Sequence, residues 1–131
     1  MKLTRAASYA IQAVVYIANL KKETPTASHV IARDRGISEK FLLKVLKPLV
    51  SIRVLRSVKG PHGGYRLARP ANEINLLEIV EAVDGPIRGF VPGDQARNAI
   101  NRKLESIWRQ SAEQQRKHLG GIKIADLSSK E

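Results

Sequence analysis

A row of lysines is the clearest chemical feature of this sequence. Lys40, Lys44 and Lys47 are spaced by four and three residues, which places them on one face of a helix. Like charges at this spacing destabilise a helix by roughly a few tenths of a kcal/mol per pair. A lysine row kept against this cost favours a surface that binds phosphate groups, and a solvated lysine face is the simpler alternative.

A second cationic group surrounds the glycine-rich segment KGPHGG at 59–64. Short stretches at 54–58 and 65–68 flank this turn, a pattern that predicts a β-hairpin. A loop that cradles a nucleotide phosphate is the alternative, but neither a Gly-Lys-Ser/Thr sequence nor a helix follows the last glycine. The pattern favours a hairpin, or wing, that approaches a nucleic-acid groove with the basic residues Arg56, Lys59, Arg66 and Arg69.

The chain lacks the residues of several other chemistries. It contains no cysteine, which excludes disulfides, thiolate metal sites and cysteine nucleophiles. Its three histidines are far apart and share no i, i+4 spacing, so a histidine metal site is not expected. Glu78, Glu81 and Asp84 form an acidic strip without a further catalytic group, which indicates a solvated or capping role. We therefore predict no enzyme activity, no metal site and no cofactor.

Positive charge is concentrated in the first half of the chain. The formal net charge is +11; residues 1–70 carry 14 Lys+Arg against 3 Asp+Glu, whereas residues 71–131 carry 9 of each. A concentrated basic excess attracts a polyanion through its field and through counterion release. No apolar run approaches the ~18 residues of a membrane span, and the N-terminus has the pattern of an amphipathic helix rather than of a signal peptide. We expect a cytoplasmic protein that binds nucleic acid.

Hydrophobic spacing and capping residues predict the elements that position these side chains. Three helices are expected at 3–20, 26–36 and 38–52, and Gly36 lies in the tight turn between the last two. This order is the helix-turn-helix layout, which generic helix hairpins share. In the third helix a core stripe lies opposite the lysines and comprises Leu42, Val45, Leu46 and Leu49.

The remaining elements complete a fold that is mainly α with a small β-hairpin wing (α+β). Asn75 and Glu78 predict a capping box for a fourth helix, which Gly85 ends. A segment with two prolines and three glycines then predicts a loop before a final long helix. The predicted domains are a winged helix-turn-helix head at 1–85, a loop at 86–94, a dimerisation helix at 95–119, and a C-terminal docking segment and tail at 120–131.

The long helix carries an apolar stripe amid charged residues. Propensity alone does not stabilise such a helix, so its stripe must be buried. The head can cover part of the stripe, and an identical helix of a second chain is the natural cover for the rest. We therefore predict a homodimer with an interface at Ile100, Leu104, Ile107, Trp108 and Ala112.

Four segments together resemble the Rrf2 family of bacterial transcription regulators, of the IscR and NsrR type. They are MKLTRAASYAIQAVVYIA, ISEKFLLKVLKPL, SVKGPHGGYRLAR and LLEIVEAVDGPI, and they fall within residues 1–88. Beyond this range the similarity is looser and consists of a long helix and an IADL ending. The resemblance implies a winged helix-turn-helix homodimer on a pseudo-palindromic operator, with the third helix in the major groove and the wing in the minor groove.

The resemblance also implies a set of DNA-facing side chains in the third helix, the wing and the N-terminus. Lysines in such positions contact mainly phosphates and read bases only occasionally. Leu43 stands where some relatives have a base-reading carboxylate, so the operator of those relatives does not carry over. The expected DNA-binding residues are Lys2, Arg5, Ser38, Lys40, Leu43, Lys44, Lys47, Arg56, Lys59, His62 and Arg66.

The sequence departs from the cluster-bearing relatives in this family. Those relatives place three cysteines in the loop before the long helix, and a few use ligands from the first helix, where this chain has Ser8 and Gln12. We therefore predict a repressor without an iron–sulfur cluster. Two alternatives stay open: a DNA-binding regulator controlled by a partner protein or small ligand, and an architectural nucleic-acid-binding protein that reads no sequence.

Overall fold

The computed structural model describes residues 2–89, 91 and 98–128. Among them it shows six α-helices, one antiparallel hairpin and a single 3-10 turn. The helices are α1 Arg5–Leu20, α2 Ser28–Arg35, α3 Glu39–Ser51, α4 Leu76–Asp84, α5 Ala99–Gly120 and α6 Ile124–Leu127; the strands are β1 Leu55–Val58 and β2 Gly64–Leu67. The predicted fold class, mainly α with a small hairpin and a long C-terminal helix, is confirmed. No helix within these residues is long and apolar enough to cross a membrane.

The first helix is the centre of the head. It contacts α2, α3, α4, α6 and β2, and its inward face is largely alanine, which lets the neighbouring elements approach closely. Leu42 and Leu46 of α3 are fully buried in the same core. Because this side of α3 packs in the core, the opposite side of the helix faces solvent. The buried residues of α1 are Ala7, Ala10, Ala13, Val14 and Ile17.

The second and third helices form the helix-turn-helix. Gly36 ends α2 in the left-handed conformation, with φ of 67°, which glycine adopts without strain. Ser38 caps α3, because its Oγ accepts a hydrogen bond from the Phe41 amide at 3.3 Å. The Ser28 hydroxyl donates to Glu39 Oε2 at 2.8 Å and ties the start of α2 to the first turn of α3. The predicted turn at Gly36 and the predicted N-cap at Ser38 are confirmed.

The hairpin follows with Leu55 paired to Leu67 and Arg56 paired to Arg66. Because side chains alternate along a strand, the leucines share the face towards the core, where Leu55 is buried. The arginines share the opposite face. The edge of β2 is extended by Thr26, whose amide and carbonyl bond to the backbone of Tyr65 at 2.9 and 2.8 Å. The hairpin is thus attached to the segment that precedes α2.

The long helix is fastened to the head through α4. It begins at Ala99, where the Asn98 side chain accepts a hydrogen bond from the Asn101 amide at 2.7 Å; the start predicted at 95 falls among residues 92–97, which lie outside the described residues. Arg116 Nε donates to Glu81 Oε2 at 2.9 Å. This hydrogen bond lowers the pKa of the Glu81 carboxyl. A solvated or capping role was predicted for this acidic strip; Glu81 in addition joins two helices.

The C-terminal segment packs back onto the head. Ile124 is fully buried, and its amide donates to the Ile74 carbonyl at 2.8 Å. The Leu76 amide donates to the Ile122 carbonyl at 2.9 Å. Directly beside this contact the predicted capping box of α4 is confirmed, with both hydrogen bonds between Asn75 and Glu78 present at 2.9 and 3.0 Å.

Two residues other than glycine, Lys21 and Arg53, adopt left-handed backbone, with φ of 51° and 62°. This conformation costs an L-residue about 1 kcal/mol, so replacement by glycine relieves strain in the folded state. Glycine also increases the conformational entropy of the unfolded chain, and this offsets part of the stabilisation. We expect Lys21→Gly and Arg53→Gly each to raise the free energy of unfolding by about 0.5 kcal/mol. Urea denaturation at fixed protein concentration measures the change. Alanine at each position is the control, because it removes the side chain and keeps the strain; a glycine variant no more stable than its alanine counterpart would contradict the prediction.

Candidate nucleic-acid interface

Four exposed side chains form what we call the α3 face: Lys40, Leu43, Lys44 and Lys47. At 3.6 residues per turn they fall within an arc of about 100°. The opposite side of α3 is the predicted core stripe of Leu42, Val45, Leu46 and Leu49, and all four are buried. No carboxylate in the described part of the chain lies within ion-pair distance of these lysines. The face therefore combines uncompensated positive charge with one apolar side chain, and Leu43 is 42% exposed.

Ser38 precedes the first turn of α3 and lies outside this face, about 160° around the helix axis from Lys40. Its Oγ accepts the hydrogen bond that caps α3, and the hydroxyl proton can still be donated to an acceptor outside the protein. The side chain is exposed. Ser38 can thus cap the helix and contact a phosphate at the same time.

The wing presents a second exposed basic group. Arg56, Lys59 and His62 are all exposed on β1 and the connecting turn. A side chain at Gly63 would place its Cβ 2.0 Å from the Val58 carbonyl oxygen, so the turn is as tight as it is only because this residue is glycine. The thin tip that results can approach the floor of a groove more closely than a helix can.

Arg66 points away from this group. Its Nη1 donates to the Glu23 carbonyl at 3.0 Å and lies 3.7 Å from the Glu23 carboxylate. The Arg66 Nε atom is buried and has no hydrogen-bond partner among the described residues. The structure thus brings Arg56 and Arg66 together as cross-strand neighbours but turns Arg66 towards the segment after α1.

Arg69, which the sequence placed among the wing cations, has an internal role instead. Its Nη2 lies 2.6 Å from Glu78 Oε1, its Nη1 donates to the Glu73 carbonyl at 2.8 Å, and its Nε donates to the Arg53 carbonyl at 3.0 Å. These bonds to the head hold this guanidinium next to α4. Its assignment to the wing surface is corrected accordingly.

Lys2 and Arg5 lie at the start of α1 and are exposed. Thr4 between them accepts a hydrogen bond from the Ala7 amide at 3.0 Å and donates to the Asp84 carboxylate at 2.8 Å. Lys2 lines a cleft of about 410 Å³ together with residues of α4 and α5, Trp108 among them. The start of α1 is therefore held against α4 and beside the long helix.

The long helix exposes most of its predicted apolar stripe. Ile100, Ile107 and Trp108 are 69%, 53% and 51% exposed, and Leu104 is half-buried. Large apolar side chains grouped on one exposed helix face mark an interaction surface. Ala112, predicted for the same interface, is instead buried and lines the cleft that α5 forms with Val80 of α4. It belongs to the contact between α5 and its own head.

The titratable groups with shifted pKa values lie in structural pairs. The Tyr16 hydroxyl donates to Asp34 Oδ2 at 2.5 Å, which lowers the pKa of the Asp34 carboxyl and raises the pKa of Tyr16. This pair joins α1 to α2. Among the described residues no serine or threonine hydroxyl hydrogen-bonds to it, so the pair does not activate a nucleophile. Among the described residues no group of three histidine, cysteine or acidic side chains is placed to hold a metal ion.

Comparison with known proteins places this arrangement among regulators. The chain matches the family model Rrf2, described as "Iron-dependent Transcriptional regulator", over residues 3–130. A protein of Mycobacterium tuberculosis (strain ATCC 25618 / H37Rv) named as an HTH-type transcriptional regulator is 31% identical over 131 residues, 98% of this chain and 81% of that protein. The HTH-type transcriptional regulator IscR of Xenorhabdus nematophila is 31% identical over 129 residues, 97% of this chain and 79% of that protein. The structure of CymR, the global cysteine regulator of B. subtilis, superposes with a TM-score of 0.80 at 23% identity, over 98% of this chain and 96% of CymR, which shows a shared fold.

Proposed function

The chain belongs to the Rrf2 family of transcriptional regulators, and from this premise we propose that it represses transcription as a homodimer on a pseudo-palindromic operator. The α3 face is the observation that carries the proposal. Its lysines supply salt-dependent contacts to phosphates, and the exposed Leu43 adds an apolar side chain that electrostatic attraction alone does not require. An apolar contact to a thymine methyl group discriminates between bases. Lysines together with one exposed apolar side chain therefore support binding to a specific base sequence.

The two basic elements suit the two grooves of DNA. The major groove is about 12 Å wide and admits a helix, whereas the minor groove is about 6 Å wide. In the proposed complex α3 enters the major groove and the wing tip, with Lys59 and His62, follows the minor groove. A narrow minor groove has enhanced negative potential and attracts inserted basic side chains. Lys2 and Arg5 at the start of α1 are assigned to contacts with the backbone.

The exposed part of the α5 stripe supports the homodimer. Ile100, Leu104 and Ile107 recur at steps of four and three, the spacing with which two helices pack along a common seam. A two-fold dimer presents two α3 faces related by symmetry, and a palindromic operator presents two half-sites with the same symmetry. Pairing of α5 with its copy would therefore set the distance between the two recognition helices.

The residues of this chain do not fit the iron that the family description names. The sequence has no cysteine. The two α1 positions considered as alternative ligands are engaged elsewhere, since Gln12 Nε2 donates to Ser8 Oγ at 3.0 Å and Arg35 donates to Gln12 Oε1 at 3.4 Å. Neither a hydroxyl nor an amide is a typical ligand of an iron–sulfur cluster. We propose that regulation here does not depend on a cluster.

Selection of DNA from a fragmented bacterial genome tests the proposed function. The purified protein is expected to retain fragments that share an inverted repeat, and to keep them in the presence of about a hundredfold excess of non-specific DNA, because specific binding exceeds non-specific binding by about 10³ or more. The same fragments with scrambled half-sites are the control. Equal retention of native and scrambled fragments would exclude sequence-specific repression and favour architectural binding.

A further inference from the structure

A cleft of about 520 Å³ lies between the C-terminal end of α1 and the segment that follows β2. Four of its lining residues are cationic: Lys21, Lys22, Arg66 and Arg69. Its volume is within the range of about 300–1,000 Å³ typical of small-molecule sites. The contacts proposed above between the protein and DNA use none of these four side chains.

The described residues neutralise the positive charge of this cleft only in part. Arg69 is paired with Glu78 at 2.6 Å, but no carboxylate of the described residues lies within ion-pair distance of Lys21 or Lys22. Among the described residues, one acidic side chain lines the cleft: that of Glu23, which is 97% exposed and 3.7 Å from Arg66. The partial negative charge at the C-terminal end of α1, about half an elementary charge, is smaller than the charge of one lysine. An excess of positive charge remains.

Arg66 carries a donor that lacks an acceptor. Its Nη1 is bonded to the Glu23 carbonyl at 3.0 Å, whereas its buried Nε has no partner in the described part of the chain. Buried donors are nearly always hydrogen-bonded, and a missing partner calls for an explanation. An anionic oxygen is the acceptor that a guanidinium binds most strongly. Because Nε is closed to solvent, an oxyanion in the cleft would bind at Nη2, which is accessible and makes no hydrogen bond to the described residues.

Lys21 stands at the rim of the cleft in an unfavourable backbone conformation. It is the C-cap of α1 in the left-handed region, where glycine is the favoured residue. Outliers of this kind cluster at functional sites. A lysine at this position contributes a cation to the cleft at the expense of backbone strain.

We propose that this cleft binds a small molecule through a phosphate group, with Lys21, Lys22 and Arg66 as its ligands. A phosphate offers several charged oxygens, enough for the two ammonium groups and the free Nη2 of Arg66, whereas a carboxylate offers two. Ile17 and Leu67 also line the cleft and provide apolar surface for the remainder of the ligand. The sequence signal of this site is slight: two consecutive lysines directly after a helix.

Ligand binding at this cleft is placed to affect the wing. Arg66 belongs to β2 and is the cross-strand neighbour of the exposed Arg56. A bound phosphate would add negative charge at the base of the hairpin and so reduce its attraction for DNA. This step, unlike the site itself, rests on the proposed function. We expect saturating ligand to weaken operator binding several-fold, and by reciprocity DNA to weaken ligand binding by the same factor.

Calorimetric titration of the DNA-free protein with inorganic pyrophosphate tests the site directly. We expect saturable binding, about tenfold weaker in Lys21→Gly and in Lys22→Ala, because each removes one charge-assisted contact. Lys21→Gly also relieves backbone strain, so weaker binding by this variant cannot be ascribed to unfolding. Arg53→Gly is the matched control: it removes a cation and the same left-handed strain at a residue that does not line the cleft, and it should bind pyrophosphate like the original protein.

Four outcomes would overturn the proposal or its coupling step. Absence of saturable binding at millimolar pyrophosphate, or equal weakening by Arg53→Gly, would exclude a phosphate site in this cleft. If pyrophosphate does not bind but Lys22→Ala weakens operator and scrambled DNA alike, the cleft takes a backbone phosphate of DNA and the small-molecule proposal is wrong. If pyrophosphate binds as expected but leaves operator affinity unchanged at constant ionic strength, the site stands and the coupling is wrong. Because the titration contains no DNA, its result is independent of the proposed function.

Discussion

Ile107→Glu is expected to convert the protein into a monomer. The Ile107 side chain is 53% exposed within one chain, so its replacement leaves the packing of the protomer largely undisturbed. In the proposed dimer the substitution places two carboxylates in an apolar seam, and burying an ion carries an effective desolvation cost of several kcal/mol. We expect the dissociation constant of the dimer to rise at least about a hundredfold. Operator affinity should fall by about the same factor, because two linked half-site contacts become independent.

Light scattering over a range of concentrations measures the oligomeric state of this variant, and fluorescence anisotropy measures its operator affinity. Ser106→Glu is the matched control, since it places the same charge on the preceding exposed residue, which the helix rotates away by about 100°. It should remain dimeric. A dimeric Ile107→Glu variant, or equal loss in both variants, would contradict the proposed seam. Trp108 is a poorer site for this test because it also lines a cleft within its own protomer.

The division of the α5 stripe between two partners explains why part of it was assigned wrongly from the sequence. Hydrophobic spacing places Trp108 and Ala112 on one helix face but does not say which chain covers them. The Arg116–Glu81 pair fixes the rotation of α5 against α4, and this rotation buries Ala112 while it leaves Ile100 and Ile107 exposed. The partners of that ion pair are 35 residues apart, and neither has a local signal that identifies the other.

Features encoded within a few residues were predicted correctly. Gly36 ends α2, Ser38 caps α3, and Asn75 forms its capping box with Glu78, because each interaction joins residues no more than a turn apart. Likewise, the core stripe of α3 follows from helical periodicity alone, and that stripe determines which lysines are exposed. Local rules therefore sufficed for the helix-turn-helix and for most of the α3 face.

Side chains whose partners are distant in sequence were not predicted. Arg66 and Arg69 both looked like wing cations because they follow a glycine-rich turn. Their actual acceptors include the carbonyl of Glu23 and the carboxylate of Glu78, which become neighbours only once the hairpin packs against α1 and α4. The cleft beside Arg66 likewise appears only in the folded chain, since its two walls come from α1 and from the segment after β2.

Leu43→Ala and Lys47→Ala are expected to weaken operator binding in different ways. These residues are four apart on the α3 face and both are exposed, so they face the same groove. Lys47→Ala removes a cation: affinity should fall for operator and scrambled DNA alike, and the salt slope should decrease by about one unit. Leu43→Ala removes only apolar atoms: operator affinity should fall about tenfold, with the salt slope and the binding of scrambled DNA unchanged. Anisotropy titrations at several salt concentrations separate the two patterns.

Uracil substitution identifies the group that Leu43 contacts, because uracil differs from thymine only by the missing C5 methyl. Replacing each half-site thymine in turn should weaken binding by the original protein at one position. At that position Leu43→Ala should bind thymine and uracil equally, since the contact is already absent, whereas Lys47→Ala should still prefer thymine. This comparison is a double-mutant cycle between one side chain and one methyl group. If no position shows a thymine preference that depends on Leu43, the leucine does not read a base, and specificity must come from other side chains of the α3 face or from the shape of the DNA.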